Sequence, residues 1–129
     1  MATFLLDTSV IIDAINNKKS RRQLLRELVT TGNALACCAI NIAEIYAGMR
    51  LAEEQNTAAF LSTLEYYPVT FPEARLAGEL RRDFGKKGKT LSVMDTVIAA
   101  VAIHNQLTLI TDNTKDFPMT ELALHPLPN

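Results

Sequence analysis

The apolar residues of this chain come in runs too short to make helices of their own, and each run gives way to a helical pattern. Phe4-Leu5-Leu6 stops at Asp7-Thr8-Ser9. Ala34 to Ile40 is apolar without a break, between Gly32-Asn33 and Asn41. Leu107 to Thr111 ends at Asp112-Asn113. Short apolar runs between turn signals read as strands buried on both faces. Tyr66 to Phe71 is a shorter β-prone stretch. Leu122 to Leu127 reads as an edge strand, because Pro126 and Pro128 do not suit a central one.

The intervening segments carry a helical period. Val10, Ile11, Ile12, Ala14 and Ile15 make the first. Ser20 to Thr31 is amphipathic, with Leu24, Leu25, Leu28 and Val29 opposite Arg21, Arg22 and Arg26. Asn41 opens a helix to about Leu51, and Glu53 to Leu64 continues helical. Pro72 suits the first turn of a helix reaching Gly85, and Ser92 to Asp95 starts one that runs to Asn105. Strands alternating with helices predict an α/β fold around a mostly parallel sheet of about four or five strands.

A length of 129 residues predicts one domain spanning residues 1–129. A hydrophobic fraction of 48% against 21% charged residues excludes a disordered body. No apolar run approaches the ~20 residues that cross a bilayer. The start, Met1 to Asp7, has no basic region before its apolar run, so it does not read as a secretion signal, and a cytoplasmic location is expected. The net charge of −1 supplies no overall attraction for nucleic acid, so a polyanion has to be met by local patches. Cys37 and Cys38 are adjacent in an apolar run and read as small buried residues on opposite faces of a strand. His104 and His125 form no zinc spacing with them.

In parallel α/β sheets, ligands sit outside the carboxyl ends of the strands. Asp7 directly follows the first strand, and Asp112 the strand ending at Thr111. Glu44 stands one helical turn beyond the second strand, and Asp95 in the first turn of a helix beside the Leu107–Thr111 strand. Each acid also has a purely structural role open to it. Asn41-x-x-Glu44 and Ser92-x-x-Asp95 have capping-box spacing, Asp7 suits a helix cap, and Asp112 suits a turn. Against those roles, Glu44 and Asp95 are set among apolar neighbours, with no Lys or Arg at helical spacing from them. Charge in such surroundings is costly unless paired or bound to a metal. Converging carboxylates repel, raise one another's pKa values, or hold a cation, and an all-oxygen set favours Mg²⁺ or Mn²⁺. Such a centre suits phosphodiester chemistry.

At these residues the chain resembles a PIN-domain ribonuclease, most closely a VapC-like toxin of a type II toxin–antitoxin system. The resemblance is carried by Leu5 to Ile12, Asn41 to Gly48, Asp95 to Ala100 and Leu109 to Phe117, in family order over most of the chain. It implies a Rossmann-like fold, metal-dependent endoribonuclease activity and a homodimer. By position, Asp7, Glu44 and Asp95 resemble the three central metal-binding, catalytic acids. The family motif places the fourth at Asp116, while Asp112 follows the threonine directly; Asp116 is weighted above Asp112, and both remain open here. Thr8, Thr111 and Asn113 resemble the polar residues that orient those acids.

The resemblance further implies an RNA substrate (tRNA, rRNA or mRNA), translation inhibition, and a cognate VapB-like antitoxin forming a heterotetramer or larger assembly. Two basic groups are candidates for the RNA backbone: Lys18, Lys19, Arg21, Arg22 and Arg26; and Arg81, Arg82, Lys86, Lys87 and Lys89. Tyr46 reads either as a base-stacking residue or, more simply, as core. Ile12, Ile15, Leu51 and Phe60 are candidates for an antitoxin groove. The competing readings are a PIN nuclease of RNA processing without an antitoxin and a non-catalytic PIN scaffold. A dehalogenase-type phosphatase needs a second Asp two residues after the first, where this chain has Ser9.

Overall fold

The computed structural model describes residues 1–128; Asn129, the end of the expected domain, lies outside the described residues. Five strands, β1 (Thr3–Leu6), β2 (Ala34–Cys38), β3 (Glu65–Tyr67), β4 (Thr108–Thr111) and β5 (Ala123–Pro126), form one sheet in the order β3-β2-β1-β4-β5. Every neighbouring pair is parallel. The helices are α1 (Thr8–Ile15), α2 (Arg21–Thr30), α3 (Ala39–Gly48), α4 (Glu54–Leu61), α5 (Phe71–Lys86) and α6 (Val93–His104), with 3-10 turns at Leu51–Glu53 and Thr114–Asp116. The expected α/β architecture is therefore present, with a wholly parallel sheet.

The period of two along each strand divides the core between the faces. Leu5, Ala36, Cys38 and Leu109 pack with Leu80, Ile98 and Val101 under α5 and α6. Phe4, Leu6, Cys37 and Ile110 pack with Val10, Ile11, Leu25 and Ile45 under α1, α2 and α3. Leu5, Leu6, Leu109 and Ile110 have no exposed surface, and each such side chain contributes about 2 kcal/mol. The two cysteines do face opposite ways, both are free, and burial pushes the Cys37 thiol up to about 11. Among the described residues no helix is long and apolar enough to cross a membrane.

Several expected boundaries move: the β-prone stretch Tyr66 to Phe71 holds only β3, with Phe71 already in α5, and the helix expected to reach about Leu51 ends at Gly48. The apolar run Ala34 to Ile40 is not one strand: β2 ends at Cys38, and Ala39-Ile40 already belong to α3. The extended Cys38 is the N-cap, and Asn41, expected as the cap itself, stands in the first turn with its Oδ1 accepting the Cys38 N–H at 2.8 Å. An apolar run marks burial but does not show where its period changes from two to 3.6. The helix expected over Glu53 to Leu64 starts as a 3-10 turn and ends at Leu61. The hydroxyls of Ser62 and Thr63 donate back to the carbonyls of Ala59 and Phe60 at 2.7 and 2.6 Å, competing with further helix.

The chain passes from β1 to β2 to β3 on one side, then returns to lay β4 and β5 on the other side of β1. The order reverses between β1 and β4, and in such sheets the crevice that takes ligands lies outside the carboxyl ends at this switch point.

Candidate active site

Asp7 forms the floor of this crevice. It follows β1, is 7% exposed, and its N–H donates to the Ile110 carbonyl of β4 at 2.9 Å. Its Oδ1 accepts the Thr8 N–H at 2.9 Å, capping α1. Its Oδ2 accepts the hydroxyl of Thr111, at the end of β4, at 2.7 Å. One carboxylate thus joins two strand ends and a helix start.

Glu44 reaches the same place from α3. Its Oε1 accepts the Thr8 hydroxyl at 2.5 Å, and the Thr8 oxygen accepts from Asn41 Nδ2 at 2.9 Å. Because Asn41 occupies that oxygen's acceptor side, the Thr8 proton is directed at Glu44. Asn41 is wholly buried, and both its amide atoms are used. It is the functional residue that sequence reasoning assigned wrongly, as a cap. The available signal was a lone amide inside an apolar stretch.

Asp95 stands in the first turn of α6, where the Ser92 hydroxyl accepts its N–H at 3.1 Å, as the capping spacing predicts. α6 packs against α3, which brings Asp95 towards Glu44. Asp116 ends the 3-10 turn after β4, near enough for its charge to raise the Asp95 carboxyl. Burial, above all, raises the Asp7 carboxyl above its ordinary value, with Asp95 and Glu44 adding to the rise and the Thr111 and Thr8 hydrogen bonds opposing it. Burial likewise raises Asp95, with Asp116 and Glu44 adding and Ser92 opposing.

Asp7 therefore feels Asp95 and Glu44, and Asp95 feels Asp116 and Glu44. Among the described residues, none of them has a Lys, Arg or His within 4.0 Å. No three of the described His, Cys, Asp or Glu side chains already surround a single point at ion-binding distance. Asp7 and Glu44 are held by neutral donors instead. An all-oxygen set in which burial raises Asp7 and Asp95, with no counter-charge among the described residues, fits a hard divalent ion. The N-termini of α1 and α6 point partial positive charge at Asp7 and Asp95 and offset only part of the repulsion.

Other expected residues lie elsewhere. Asp112 turns to Lys19 Nζ at 3.6 Å and Arg21 Nη2 at 3.8 Å. Asn113 contributes its backbone, its N–H donating to the Thr111 hydroxyl at 3.0 Å. Tyr46 is 39% exposed, so the simpler expectation of core burial fails. It lies two residues from Glu44, on a different side of α3.

Against this geometry, the PIN domain family matches residues 4–121. The chain belongs to the PIN-domain family. Its relatives include ribonuclease VapC19 of Mycobacterium tuberculosis, 32% identical over 89% of this chain and 92% of that one. Another is the tRNA(fMet)-specific endonuclease VapC of Salmonella typhimurium, 30% identical over 91% of each. The crystal structure of VapBC2 from Rickettsia felis bound to a DNA fragment from its promoter is similar with a TM-score of 0.84, at 31% identity over 98% of this chain and 99% of that one. Ribonucleases of the PIN family are in general dependent on divalent metal. At the switch point between β1 and β4 this PIN domain places Asp7, bonded to Thr111.

Proposed function

We propose that this chain is a metal-dependent endoribonuclease and the toxin of a toxin–antitoxin pair, a single PIN domain acting in the cytoplasm. Asp7, Glu44, Asp95 and Asp116 would hold Mg²⁺ or Mn²⁺. What supports the reading is the approach of four carboxylates from separate elements to the β1–β4 switch point, with no cation paired to any of them among the described residues. The VapC relatives, named as ribonucleases, support the reaction, and the toxin–antitoxin complexes among the similar structures support the partner.

A bound divalent ion would supply Lewis acidity to the scissile phosphate and to an attacking water. The protein's own part is positional. Thr111 and the Thr8 amide hold both oxygens of Asp7, while Asn41, through Thr8, aims Glu44. Burial raises the Asp95 carboxyl, with Asp116 and Glu44 adding to the rise, so a bound cation would relieve the strain of its charge. Lys86, Lys87 and Lys89, exposed at the end of α5 and just after it, would contact the RNA backbone without reading its sequence. Tyr46 is free for a base to stack on.

The antitoxin reading rests on the surface between α1, α3 and the Leu51–Glu53 turn. A groove of about 280 Å³ there is lined by Ile12, Ile15, Ile45 and Met49, with Arg50 and Glu53 among its polar lining. Ile15 also lines a neighbouring hollow with Phe60, whereas Leu51 projects into solvent. An apolar face of an antitoxin segment suits such a groove. A homodimer, joined by antitoxin into a heterotetramer or larger form, completes the proposal.

The decisive experiment uses antitoxin-free protein and total RNA. Cleavage should need Mg²⁺ or Mn²⁺, stop with a chelator, and fall at least about 100-fold in Asp7→Asn with the circular dichroism spectrum unchanged. Cleavage that survives both treatments would overturn the reading.

A further inference from the structure

Asp112 lies between two groups that serve the crevice. Thr111 before it donates to Asp7, and Asn113 after it supports the Thr111 hydroxyl. The Asn113 carbonyl also accepts the Asp116 N–H at 2.9 Å. Yet the Asp112 side chain points the other way, to Lys19 and Arg21.

Arg21 is 4% exposed, and a buried guanidinium is costly unless paired. Asp112 is the one carboxylate within 4.0 Å of it among the described residues. Its Nη1 donates to the Lys19 carbonyl at 3.4 Å, and its buried Nε has no partner among the described residues. The helix does not call for this residue. Arg21 is the first residue of α2, where a cation opposes the macrodipole, and the preceding Ser20 gives no side-chain cap. The connection into α2 is also strained: Asn17, Lys19 and Ser20 have φ of 54, 56 and 56°. That turn is what brings Lys19 and Arg21 onto one carboxylate, and Lys19 ties it to Asp13 of α1 at 3.6 Å.

We infer that the Lys19–Arg21 turn clamps Asp112 and so sets the Thr111–Asp116 segment, which makes Arg21 and Asp112 positioning residues of the acid crevice and leaves Asp116 as the fourth acid. The inference rests on the nuclease reading for its consequence in catalysis, but the clamp itself is independent of it.

Hydrogen exchange on the metal-free full chain tests the clamp. Asp112→Asn should speed exchange of the Asn113, Asp116 and Phe117 amides about tenfold, leaving β1 amides unchanged. Mn²⁺ titration and RNA cleavage test the consequence. Asp112→Asn should weaken Mn²⁺ binding by about three- to tenfold and lower kcat with little change in KM. Arg21→Gln should do the same, Arg21→Lys should recover part of the loss, and the double variant should be no worse than either single one. If Arg21→Gln does not fold, Asp112→Asn and Lys19→Gln carry the comparison, with the smaller effect at Lys19. Unchanged exchange in Asp112→Asn overturns the clamp. Loss of Mn²⁺ binding in Asp112→Asn as complete as in Asp7→Asn, with Arg21→Gln and Lys19→Gln unaffected, makes Asp112 a ligand and overturns it too. If the wild type neither binds Mn²⁺ nor cuts RNA, the nuclease reading fails, while the exchange result still decides the clamp.

Discussion

Asn41 illustrates how much a single side chain decides at this site. It has no exposed surface, accepts the Cys38 N–H and donates to Thr8. Asn41→Ala leaves a buried N–H unpaired and Thr8 without direction, and should cost about 2–3 kcal/mol in urea unfolding. Cleavage should fall as well, because Glu44 loses its aim. A loss below about 0.5 kcal/mol with cleavage intact would show that the relay is idle. The raised carboxyls give a pH dependence of known sign. Asp7 and Asp95 sit above their ordinary 3.8 in the fold, so folding favours their protonated forms. The stability they confer is present below that value and is lost as pH rises through the raised values. Without divalent ion, Asp95→Asn should therefore melt about 2 °C above wild type at pH 7, with the gap closing towards pH 4. A large drop instead would make Asp95 a structural cap.

At the scale of elements, the basic residues separate into two kinds. Arg22 closes α1, its Nε and Nη2 donating to the carbonyls of Ala14 and Ile15 at 3.1 and 2.9 Å. Arg81 donates to the Leu91 carbonyl at 2.9 Å, tying α5 to the approach to α6, and Arg21 is buried. These three, expected at the sequence level among RNA contacts, hold helices and turns. Lys86, Lys87 and Lys89 remain at the exposed end of α5, where Gly88 takes a φ of 84° to make the turn. Arg22→Ala should cost about 1 kcal/mol in thermal unfolding and leave RNA affinity within about twofold. Replacing the three lysines by Ala should weaken RNA binding and shrink the salt slope by about two, with stability unchanged. The reverse pattern would place the RNA on α2.

At the scale of the whole molecule, the acid crevice and the apolar groove share one helix pair but use different stretches of it. Thr8 and Glu44 serve the crevice, whereas Ile12, Ile15, Ile45 and Met49 line the groove. Inhibition and cleavage should then be separable by mutation. Ile12 is 38% exposed, so Ile12→Asp should fold and still cut RNA. Its affinity for the antitoxin should fall about 100-fold in a binding titration, since a buried charge faces an apolar partner. Undiminished inhibition by the antitoxin would move the docking site elsewhere.

The amino-acid pattern alone determined the alternation of strands and helices, the burial of Leu5, Leu6, Leu109 and Ile110, and the placing of Asp7 and Thr111 at strand ends. Those are local properties: periodicity, run length and turn chemistry act within a few residues. The partners of the site are not local. The hydrogen bond from Thr111 to Asp7 spans 104 residues and exists because the sheet order sets β4 beside β1. The same ordering decided that Asp116 meets Asp95 while Asp112 turns to Arg21, a choice that two acids four residues apart on one loop do not carry in their spacing. Only packing chooses between them, because the cost of burying the Arg21 guanidinium has to be met by whichever carboxylate the fold brings within reach.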